Sequence, residues 1–539
     1  MERYPIEGIE LPYIPDDVTI PQFMFETNHP MRPGRRNGVP WLIHDKTGKT
    51  FTEGELRFRT DSLARGLKSR FGLDYPVAIW AVLKLGGIIS GANPDFLSSE
   101  LLYQFHETKA SLMIVHPDSL DVALEVAKQA GLPSDRIILF SANDGTEKPS
   151  EGHETVDSLV ELGLRSNLAF TERTFAPGEA KTKLAFLSFS SGTTGRPKVA
   201  AHNKLNQNYC DWKDQRYRPG DVASADMYGL AMNLHYTLFF GMSLVVFPTF
   251  NFIEFLKSIE RHRITHLMLV PPQVVLLCKH PAVKDYNLRR YIRVIMCGAA
   301  PLSHELNQRL FEMFPDAQIG QGHGTTETAT ITTLWPTTQK RGVAGSSGQL
   351  IPGMVARVVK SDGSLAGFDE AGELVIKTPS VALGYLNNHE ATKETFVDGW
   401  VRTGDLVKIG EDGEMMVIDR LKVKGFQVAP AELEGCILDH PDVSGTCVVG
   451  VPDDYSGEIP LAFVTLTVDA ANRAKMSKTA ADEIKASIIK HVKTHKTQYK
   501  HLAGGVEFVS SIPTTPSGKL LRRVLREQAR ELRKVKSKL

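Results

Sequence analysis

The stretch Ser190-Ser191-Gly192-Thr193-Thr194-Gly195-Arg196-Pro197-Lys198 follows an apolar segment at residues 184–189 that is predicted to be a strand. Small hydroxyl residues and glycines at a strand end expose hydroxyl and backbone N–H groups to a polyphosphate, and Lys198 adds a positive charge. The stretch is not a kinase-type P-loop, because that pattern requires a glycine immediately before the lysine, where Pro197 stands. From these residues alone, either a flexible turn or a phosphate-binding loop fits.

The segments around this stretch predict an α/β fold. Up to about residue 400, short apolar runs alternate with helix-like segments, which is typical of mostly parallel sheets covered by helices. The clearest runs lie at residues 111–115, 137–140, 243–247, 266–270 and 294–297. We therefore expect a large N-terminal domain of helix-covered sheets over residues 1–418.

The pattern changes in the last part of that domain, over about residues 344–418. Short predicted strands are separated there by Asp-Gly and Ala-Gly dipeptides, which favour tight turns between antiparallel strands. We place these strands at residues 355–359, 373–376 and 415–418. This part is therefore predicted to be an antiparallel, barrel-like region.

A smaller α+β segment follows Asp419. Strands are predicted at residues 447–451 and 462–468, and a helix at 480–494. The expected organisation is a hinge at residues 419–422 and a small, mobile C-terminal domain over 423–539.

Further short motifs follow the Ser/Thr/Gly stretch in chain order. They are Gly298-Ala299-Ala300-Pro301-Leu302, Gln321-Gly322-His323-Gly324-Thr325-Thr326-Glu327, Gly372-Glu373-Leu374, Gly384-Tyr385, Trp400, Thr403-Gly404-Asp405, Asp419-Arg420, Lys424-Gly425-Phe426-Gln427-Val428-Ala429-Pro430-Ala431-Glu432, Gly457-Glu458-Ile459-Pro460 and Pro516-Ser517-Gly518-Lys519. The series resembles the signature of the adenylate-forming superfamily of acyl-CoA synthetases, beetle luciferases and peptide-synthetase adenylation domains. The resemblance covers about residues 23–523. The stretches that begin at Gly425 and Gly457 are most similar to the 4-coumarate–CoA ligase group.

The resemblance implies an acid–CoA ligase that uses ATP, Mg²⁺ and coenzyme A. In such an enzyme the substrate carboxylate attacks the α-phosphate and pyrophosphate leaves, and a thiol then attacks the acyl-adenylate. Lys519 is similar to the lysine that bridges the carboxylate and the α-phosphate. A positioned ammonium stabilises the charge that develops there.

The resemblance also assigns the nucleotide site. Glu327 would hold Mg²⁺, which prefers oxygen ligands, and Thr326 would donate its hydroxyl to the α-phosphate. Asp405 would accept from both ribose hydroxyls, and Arg420 would support the same sugar. The other predicted nucleotide-binding residues are Ser190, Ser191, Gly192, Thr193, Thr194, Gly195, Lys198, Gly298, Ala299, Ala300, Gln321, Gly322, His323, Gly324 and Thr325. His323 replaces the tyrosine that is usual in the family, and an imidazole can still stack on adenine.

For the thiol step, the family swings its small domain between the two half-reactions. Gly425 and Phe426 would then line the thiol tunnel, and Gln427 beside them is a predicted cofactor-binding residue. Lys422 and Lys424 match the hinge lysine and the lysine beside the glycine.

Three places are shorter than the family pattern. The predicted helix at residues 76–85 follows Phe71-Gly72-Leu73 almost at once, and Asp226 stands near the place of a histidine that lines the acyl pocket. Between Arg420 and Gly425, the stretch that separates the two lysines is almost gone. Because a short hinge limits domain rotation, we expect the thioester step to be slower than adenylate formation.

The substrate pocket is predicted from residues near this second short place. Apolar residues around Tyr228 and Ala300 favour an aromatic, cinnamate- or benzoate-like acid or a medium-chain acid. Asp226 leaves open an adenylating enzyme with another acceptor, because it is similar to the aspartate that holds the substrate ammonium in amino-acid adenylation domains. A catalytically impaired nucleotide- or CoA-binding relative is a third possibility, favoured by the short places and opposed by the intact Lys519.

Length, net charge and cysteine spacing indicate the number of domains and argue against some kinds of partner and site. A chain of 539 residues predicts two or more domains. The net charge of +1 gives no overall field that would attract nucleic acid or a membrane surface. The 5 cysteines show no Cys-x-x-Cys spacing, so their pattern predicts neither a zinc site nor a disulfide framework.

Three segments indicate where in the cell the protein is expected. Residues 227–253 lack Asp, Glu, Lys and Arg, but polar residues interrupt them, so we expect a buried helix, a turn at Gly241 and a buried strand at 243–247, without a membrane span. The N-terminus shows no signal-peptide pattern. Ser537-Lys538-Leu539 at the C-terminus matches the peroxisomal address, so we expect the peroxisomal import receptor to bind it. A cytoplasmic location is the alternative.

Overall fold

The structure is a computed structural model of the chain. It describes residues 2–3, 15–30, 32–34, 38–70, 75–94, 96–140, 152–166, 171–190, 198–202, 228–247, 250–298, 302, 304–336, 339–360, 362–419, 422–423, 426–428, 430–453, 457–513 and 522–536.

The strands of the described residues are numbered in chain order. They are β1 Glu2–Arg3, β2 Leu42–His44, β3 Thr50–Phe51, β4 Ile89–Ser90, β5 Met113–Val115, β6 Ile137–Leu139, β7 Phe186–Ser190, β8 Lys198–His202, β9 Leu244–Val246, β10 His266–Leu269, β11 Val294–Cys297, β12 Gln318–Thr325, β13 Thr330–Leu334, β14 Gln349–Leu350, β15 Val355–Val359, β16 Gly372–Lys377, β17 Phe396–Val397, β18 Trp400–Ile409, β19 Met415–Asp419, β20 Lys422–Val423, β21 Phe426–Gln427, β22 Val443–Asp453, β23 Gly457–Leu466 and β24 Gly505–Phe508.

The α-helices are numbered in the same way. They are α1 Ile20–Phe25, α2 Glu53–Arg70, α3 Tyr75–Lys84, α4 Ser98–Thr108, α5 Leu120–Ala130, α6 Val156–Arg165, α7 Thr237–Phe239, α8 Phe252–His262, α9 Pro271–Lys279, α10 His304–Met313, α11 His389–Thr395, α12 Pro430–Leu438, α13 Val468–Met476, α14 Lys478–His495 and α15 Arg522–Lys536. A π-helix, Tyr228–Tyr236, leads directly into α7.

The sheet that positions the site has the order β10-β11-β12-β13-β14. Its first three strands are parallel, and β13 and β14 continue it in antiparallel pairing. Every residue of β10 and β11 is buried, as expected for strands covered on both faces. The predicted alternation of strands and helices is therefore confirmed here.

The predicted mostly parallel arrangement has an antiparallel exception at the Ser190–Lys198 stretch. Strands β7 and β8 pair antiparallel, so that Ser190 lies opposite Lys198. Only residues 191–197 connect them, which is too short for the crossover that parallel strands need.

The barrel-like prediction for the end of the large domain is confirmed in its strand pattern. A 6-stranded sheet has the order β1-β15-β16-β18-β17, with β19 paired to β18, and all of its pairs are antiparallel. The Asp-Gly turns place Gly363 and Gly413 at φ 83° and 81°, values that glycine adopts without strain.

The C-terminal segment has its own core around β22 and β23, against which α12 and α14 pack. Strand β23 ends at Leu466, two residues before the predicted end at residue 468, because Thr467 is the N-cap residue of α13. A buried ion pair joins this segment to the large domain: Lys500 Nζ lies 3.0 Å from Glu100 Oε1, and the two side chains are 6% and 8% exposed.

Within the segment at residues 227–253, the described residues 228–246 form mostly buried structure, as predicted. The π-helix and α7 are followed by a turn at Gly241, with φ 74°, and by the buried strand β9. Within the described part of the chain, we find no helix with the length and hydropathy needed to cross a bilayer.

Two buried histidines predict how stability depends on pH. Burial lowers the pKa of His202 and of His235 from 6.5 to about 4. Below the unfolded pKa the unfolded chain binds protons that the folded chain does not, so the free energy of unfolding falls as the pH drops from 6.5 to about 4.

We expect His202→Leu to reduce the slope of the free energy of unfolding against pH. The reduction is at most the contribution of one linked proton, about 1.4 kcal/mol per pH unit. Urea denaturation at several pH values between 7 and 5 measures the slope, with the exposed His106→Leu as the matched control. An unchanged slope in His202→Leu would show that His202 is not the linked group.

Candidate active site

The antiparallel pair of β7 and β8 places the side chains of Ser190 and Lys198 next to each other. Ser190 ends β7 and is 7% exposed, and Lys198 begins β8 directly opposite it. The Lys198 ammonium lies 5.0 Å from the ring centroid of Tyr385, a distance at which a cation is attracted to the ring face. The turn between the two strands lies outside the described residues.

Glu327 is the centre of this cluster. It sits in a short turn, Thr326–Thr328, that directly follows β12. Its Oε1 accepts hydrogen bonds from Ser190 Oγ at 2.6 Å and from the Tyr385 hydroxyl at 2.7 Å. Because both of these bonds go to Oε1, Oε2 can face a cation. The partly exposed carboxylate thus offers the hard oxygen ligand that Mg²⁺ prefers.

Tyr385 is held in its donating form. Burial, and then the neighbouring Glu327 carboxylate, raise the pKa of the Tyr385 hydroxyl well above its ordinary value. The hydroxyl therefore keeps its proton and continues to donate to Glu327. The backbone N–H of Tyr385 donates to Thr392 Oγ1 at 2.9 Å, which holds the backbone from which the tyrosine side chain extends.

The backbone after Glu327 is strained. Ala329 and Thr330 adopt φ values of 54° and 109°, which residues with a side chain rarely do, and each costs of order 1–3 kcal/mol. Opposite them, a Cβ on Gly324 would lie 1.6 Å from the carbonyl oxygen of Thr330. The close approach of β13 to β12 thus requires glycine at this position, and it holds the Glu327 turn in place.

A hydrogen bond between two side chains, those of His323 and Asp405, joins β12 to β18. His323 Nε2 lies 2.8 Å from Asp405 Oδ2, and His323 Nδ1 lies 2.7 Å from Thr332 Oγ1. An ionised carboxylate only accepts, so Nε2 carries the proton and donates to it. Asp405 is 1% exposed, and its N–H donates to Thr403 Oγ1 at 3.1 Å. His323 therefore orients Asp405; its stacking on adenine stays a prediction.

Gln321 connects the motif that runs from Gly298 to Leu302 with the same strand, β12. Its Oε1 accepts from the backbone N–H of Leu302 at 2.7 Å. Gly298, at the start of that motif, follows β11 and donates its N–H to the carbonyl of Leu269 at 3.0 Å. The ends of β11 and β12 therefore lie side by side, as parallel pairing requires.

The structure thus brings together Ser190, Lys198, Gly298, Gln321, Gly322, His323, Gly324, Thr325, Thr326, Glu327 and Asp405 on adjoining strand ends. Of Tyr228, Lys422, Phe426 and Gln427 only the backbone is described. Outside the described residues lie Ser191, Gly192, Thr193, Thr194, Gly195, Asp226, Ala299, Ala300, Arg420, Lys424, Gly425 and Lys519.

Two residues in contact with the site carried no role in the sequence analysis. Tyr385 stood only at the end of a motif, although a tyrosine within the mostly apolar stretch at residues 381–386 could have indicated a buried hydroxyl. Thr332 lies within a run of threonines in β13, and no local pattern distinguishes it from its neighbours.

Comparison with known proteins agrees with this geometry. Residues 32–386 match the family described as AMP-binding enzyme, and residues 432–519 match the AMP-binding enzyme C-terminal domain. The chain is 31% identical to 4-coumarate-CoA ligase 1 of Narcissus pseudonarcissus, over 95% of this chain and 94% of that protein. It is 32% identical to the phenylacetyl-CoA ligase epaB of Aspergillus niger, over 85% of each.

A solved structure shares the fold. The amide bond synthetase McbA from Marinactinospora thermotolerans matches with a TM-score of 0.71 at 22% identity, over 91% of this chain and 98% of that one. With the family match covering more than half of the chain, and nucleotide-motif residues converging on Glu327 and Asp405, the chain belongs to the AMP-binding enzyme family.

Proposed function

We propose that the protein is an ATP-dependent acid–CoA ligase, which forms an acyl-adenylate and then an acyl-CoA thioester. The observation that carries this proposal is the Glu327 cluster, in which two hydroxyls converge on one carboxylate oxygen beside Lys198. The relatives at 31% and 32% identity are named as CoA ligases and are matched over most of their length. ATP and coenzyme A are the implied co-substrates.

In the first half-reaction, a substrate carboxylate oxygen bonds to the α-phosphorus of ATP and the bond to pyrophosphate breaks. We assign Lys519 to bridge the carboxylate and the α-phosphate, and Thr326 to donate its hydroxyl to that phosphate. Asp405, oriented by His323, accepts from the ribose. These groups are set before the reaction, so that they stabilise the developing charge without reorganising.

The Glu327 carboxylate fits a bound Mg²⁺, because Ser190 and Tyr385 fix one oxygen and leave the other to ligate. When bound, the ion neutralises phosphate charge. In the second half-reaction, the CoA thiol loses its proton, sulfur bonds to the acyl carbon and AMP leaves. We assign Gly425 and Phe426 to the thiol tunnel.

The proposed substrate is an aromatic or a medium-chain carboxylic acid. Relatives named for 4-coumarate and phenylacetate favour the aromatic class. The π-helix Tyr228–Tyr236, which begins at the predicted pocket residue Tyr228, also favours a site there, since π-helical turns are frequent at functional sites. Asp226 keeps an amino acid as the alternative substrate.

Pyrophosphate release and thioester formation test the function. Purified protein is incubated with ATP, Mg²⁺ and a panel of cinnamic, benzoic and medium-chain acids, with and without CoA. Acid-dependent pyrophosphate release together with an acyl-CoA product supports the ligase. Pyrophosphate release without thioester, but with an amide product when an amine is supplied, would indicate another acceptor. No release with any acid would indicate an impaired relative.

The short hinge predicts how the two steps compare. Along the sequence, Val423 alone separates Lys422 from Lys424, and most of the stretch from Arg420 to Gly425 lies outside the described residues. Because a short linker limits the orientations that the small domain can reach, we expect acyl-AMP to accumulate in the presence of CoA. Single-turnover kinetics measures both steps. Insertion of a family-like hinge segment is expected to raise thioester output alone, and thioester formation that keeps pace with adenylation in the unmodified chain would contradict the prediction.

For the location, we propose peroxisomal import through Ser537-Lys538-Leu539, which lie outside the described residues. Deletion of these three residues is expected to move a protein with a fluorescent N-terminal fusion from peroxisomes to the cytosol without changing its activity. Lys534→Ala, which keeps the final tripeptide, is the control. A full-length fusion that is already cytosolic would contradict the proposal.

A further inference from the structure

A cluster of metal-ligand side chains lies in the C-terminal segment, away from the nucleotide site. Cys436 is in α12, and His491 and His495 are one turn apart on the same face of α14. The two helices share a core, in which Ile437 packs with Ile488 and neighbouring apolar residues. Cys436 and the two histidines therefore meet on packed helices.

The spacing of this cluster is close to that of a metal site. One ligand atom from each of Cys436, His491 and His495 lies within 4.8 Å of the others. In tetrahedral zinc sites, the bond lengths put neighbouring ligand atoms roughly 3.5 Å apart. His495 is exposed, so a small side-chain adjustment at the helix surface can shorten these separations.

Backbone carbonyls already orient both imidazoles. His491 Nε2 donates to the carbonyl of Cys436 at 3.0 Å, and His495 Nδ1 donates to the carbonyl of His491 at 2.7 Å. A carbonyl can only accept, so each neutral ring keeps a lone pair on its other nitrogen. Histidines that ligate metals are typically held by such a bond from the second nitrogen.

Imidazole rings are crowded at this place. The ring centroids of His491 and His495 are 4.4 Å apart, and that of His440 is 5.5 Å from His491.

We propose that Cys436, His491 and His495 bind a thiophilic divalent cation of the zinc class. Sulfur and two imidazole nitrogens select Zn²⁺ or Co²⁺ over Mg²⁺, which prefers oxygen. The fourth position is open to water. Binding releases the thiol proton to solvent as the thiolate ligates. The bound ion joins α12, which begins just after the predicted thiol-tunnel residues, to α14.

Cobalt binding to the full-length, metal-free protein tests the site. Co²⁺ is titrated in the presence of excess Mg²⁺, which occupies oxygen-only sites, and the thiolate-to-cobalt absorption band is followed. We expect one ion per chain, displacement by Zn²⁺ and a higher unfolding temperature with the metal. A band that does not form, or that Zn²⁺ fails to displace, would overturn the proposal.

Matched variants locate the ligands. Cys436→Ser is expected to abolish the thiolate-to-cobalt band. His495→Gln is expected to weaken Co²⁺ binding by at least about tenfold, because removal of even a group that only supports a ligand costs about that much. His106→Gln, at an exposed histidine of α4, is expected to bind as the unmodified chain does. Because His495 is exposed, its variant folds without metal, and circular dichroism checks this. Unchanged binding in both cluster variants would place the ion elsewhere and refute the site.

Discussion

Glu327→Gln is expected to slow adenylate formation by about 10²–10³-fold, the usual cost of removing one positioned charge-stabilising group. The glutamine keeps an oxygen that can accept from Ser190 Oγ and the Tyr385 hydroxyl, which now bond to Glu327 Oε1 at 2.6 and 2.7 Å. The other oxygen becomes an amide NH₂, which cannot ligate Mg²⁺. The variant therefore removes the ligand and preserves the packing.

Acid-dependent pyrophosphate release, measured over a range of Mg²⁺ concentrations, checks this result. We expect a higher Mg²⁺ requirement as well as a lower rate. Glu411→Gln, at an exposed glutamate in a turn of the barrel-like region, is the matched control and should leave both unchanged. If Glu327→Gln retains the unmodified rate and Mg²⁺ dependence, the carboxylate is structural and the metal is held by other groups.

Lys519→Ala is expected to reduce adenylate formation by a similar factor of about 10²–10³, because the ammonium compensates charge at the α-phosphate as the carboxylate attacks. The residue stands in Pro516-Ser517-Gly518-Lys519, outside the described part of the chain. Its effect should be confined to the first half-reaction. Supplied with a synthetic acyl-adenylate and CoA, the variant is expected to form thioester at close to the unmodified rate.

Two assays separate these outcomes. Pyrophosphate release reports the first step, and chromatography of acyl-CoA formed from the synthetic adenylate reports the second. Lys478→Ala, at an exposed lysine that begins α14, controls for loss of a surface charge in the same domain. Near-normal pyrophosphate release from Lys519→Ala would remove Lys519 from the catalytic assignment.

The order of the motifs was sufficient to predict the family. The stretch from Ser190 to Lys198 and the motifs through Lys519 follow one another at family-like positions, and this information is linear. The strands around them could be predicted for a related reason: β11 is a short, wholly apolar run, and Val294–Cys297 coincides with its predicted bounds. Local composition determines such elements directly.

Contacts between distant segments could not be predicted in this way. Tyr385 lies 58 positions from Glu327, and His323 lies 82 positions from Asp405, yet both pairs are hydrogen-bonded. The antiparallel β7/β8 pairing was also missed, since periodicity describes a strand and not its partner. The Cys436–His495 cluster shows the same limit, because cysteine spacing along the chain contains no sign of histidines on another helix.

The sequence by itself thus determined the family, the two-step chemistry to be expected and most of the residues proposed to perform it, because each motif is a short run whose residue types carry the chemistry. Only the tertiary structure decided which oxygen of Glu327 is occupied, that His323 orients Asp405, and that Cys436 meets His491. The physical reason is that hydrogen-bond direction and ligand geometry depend on the packing of separate strands and helices, which local propensities do not specify.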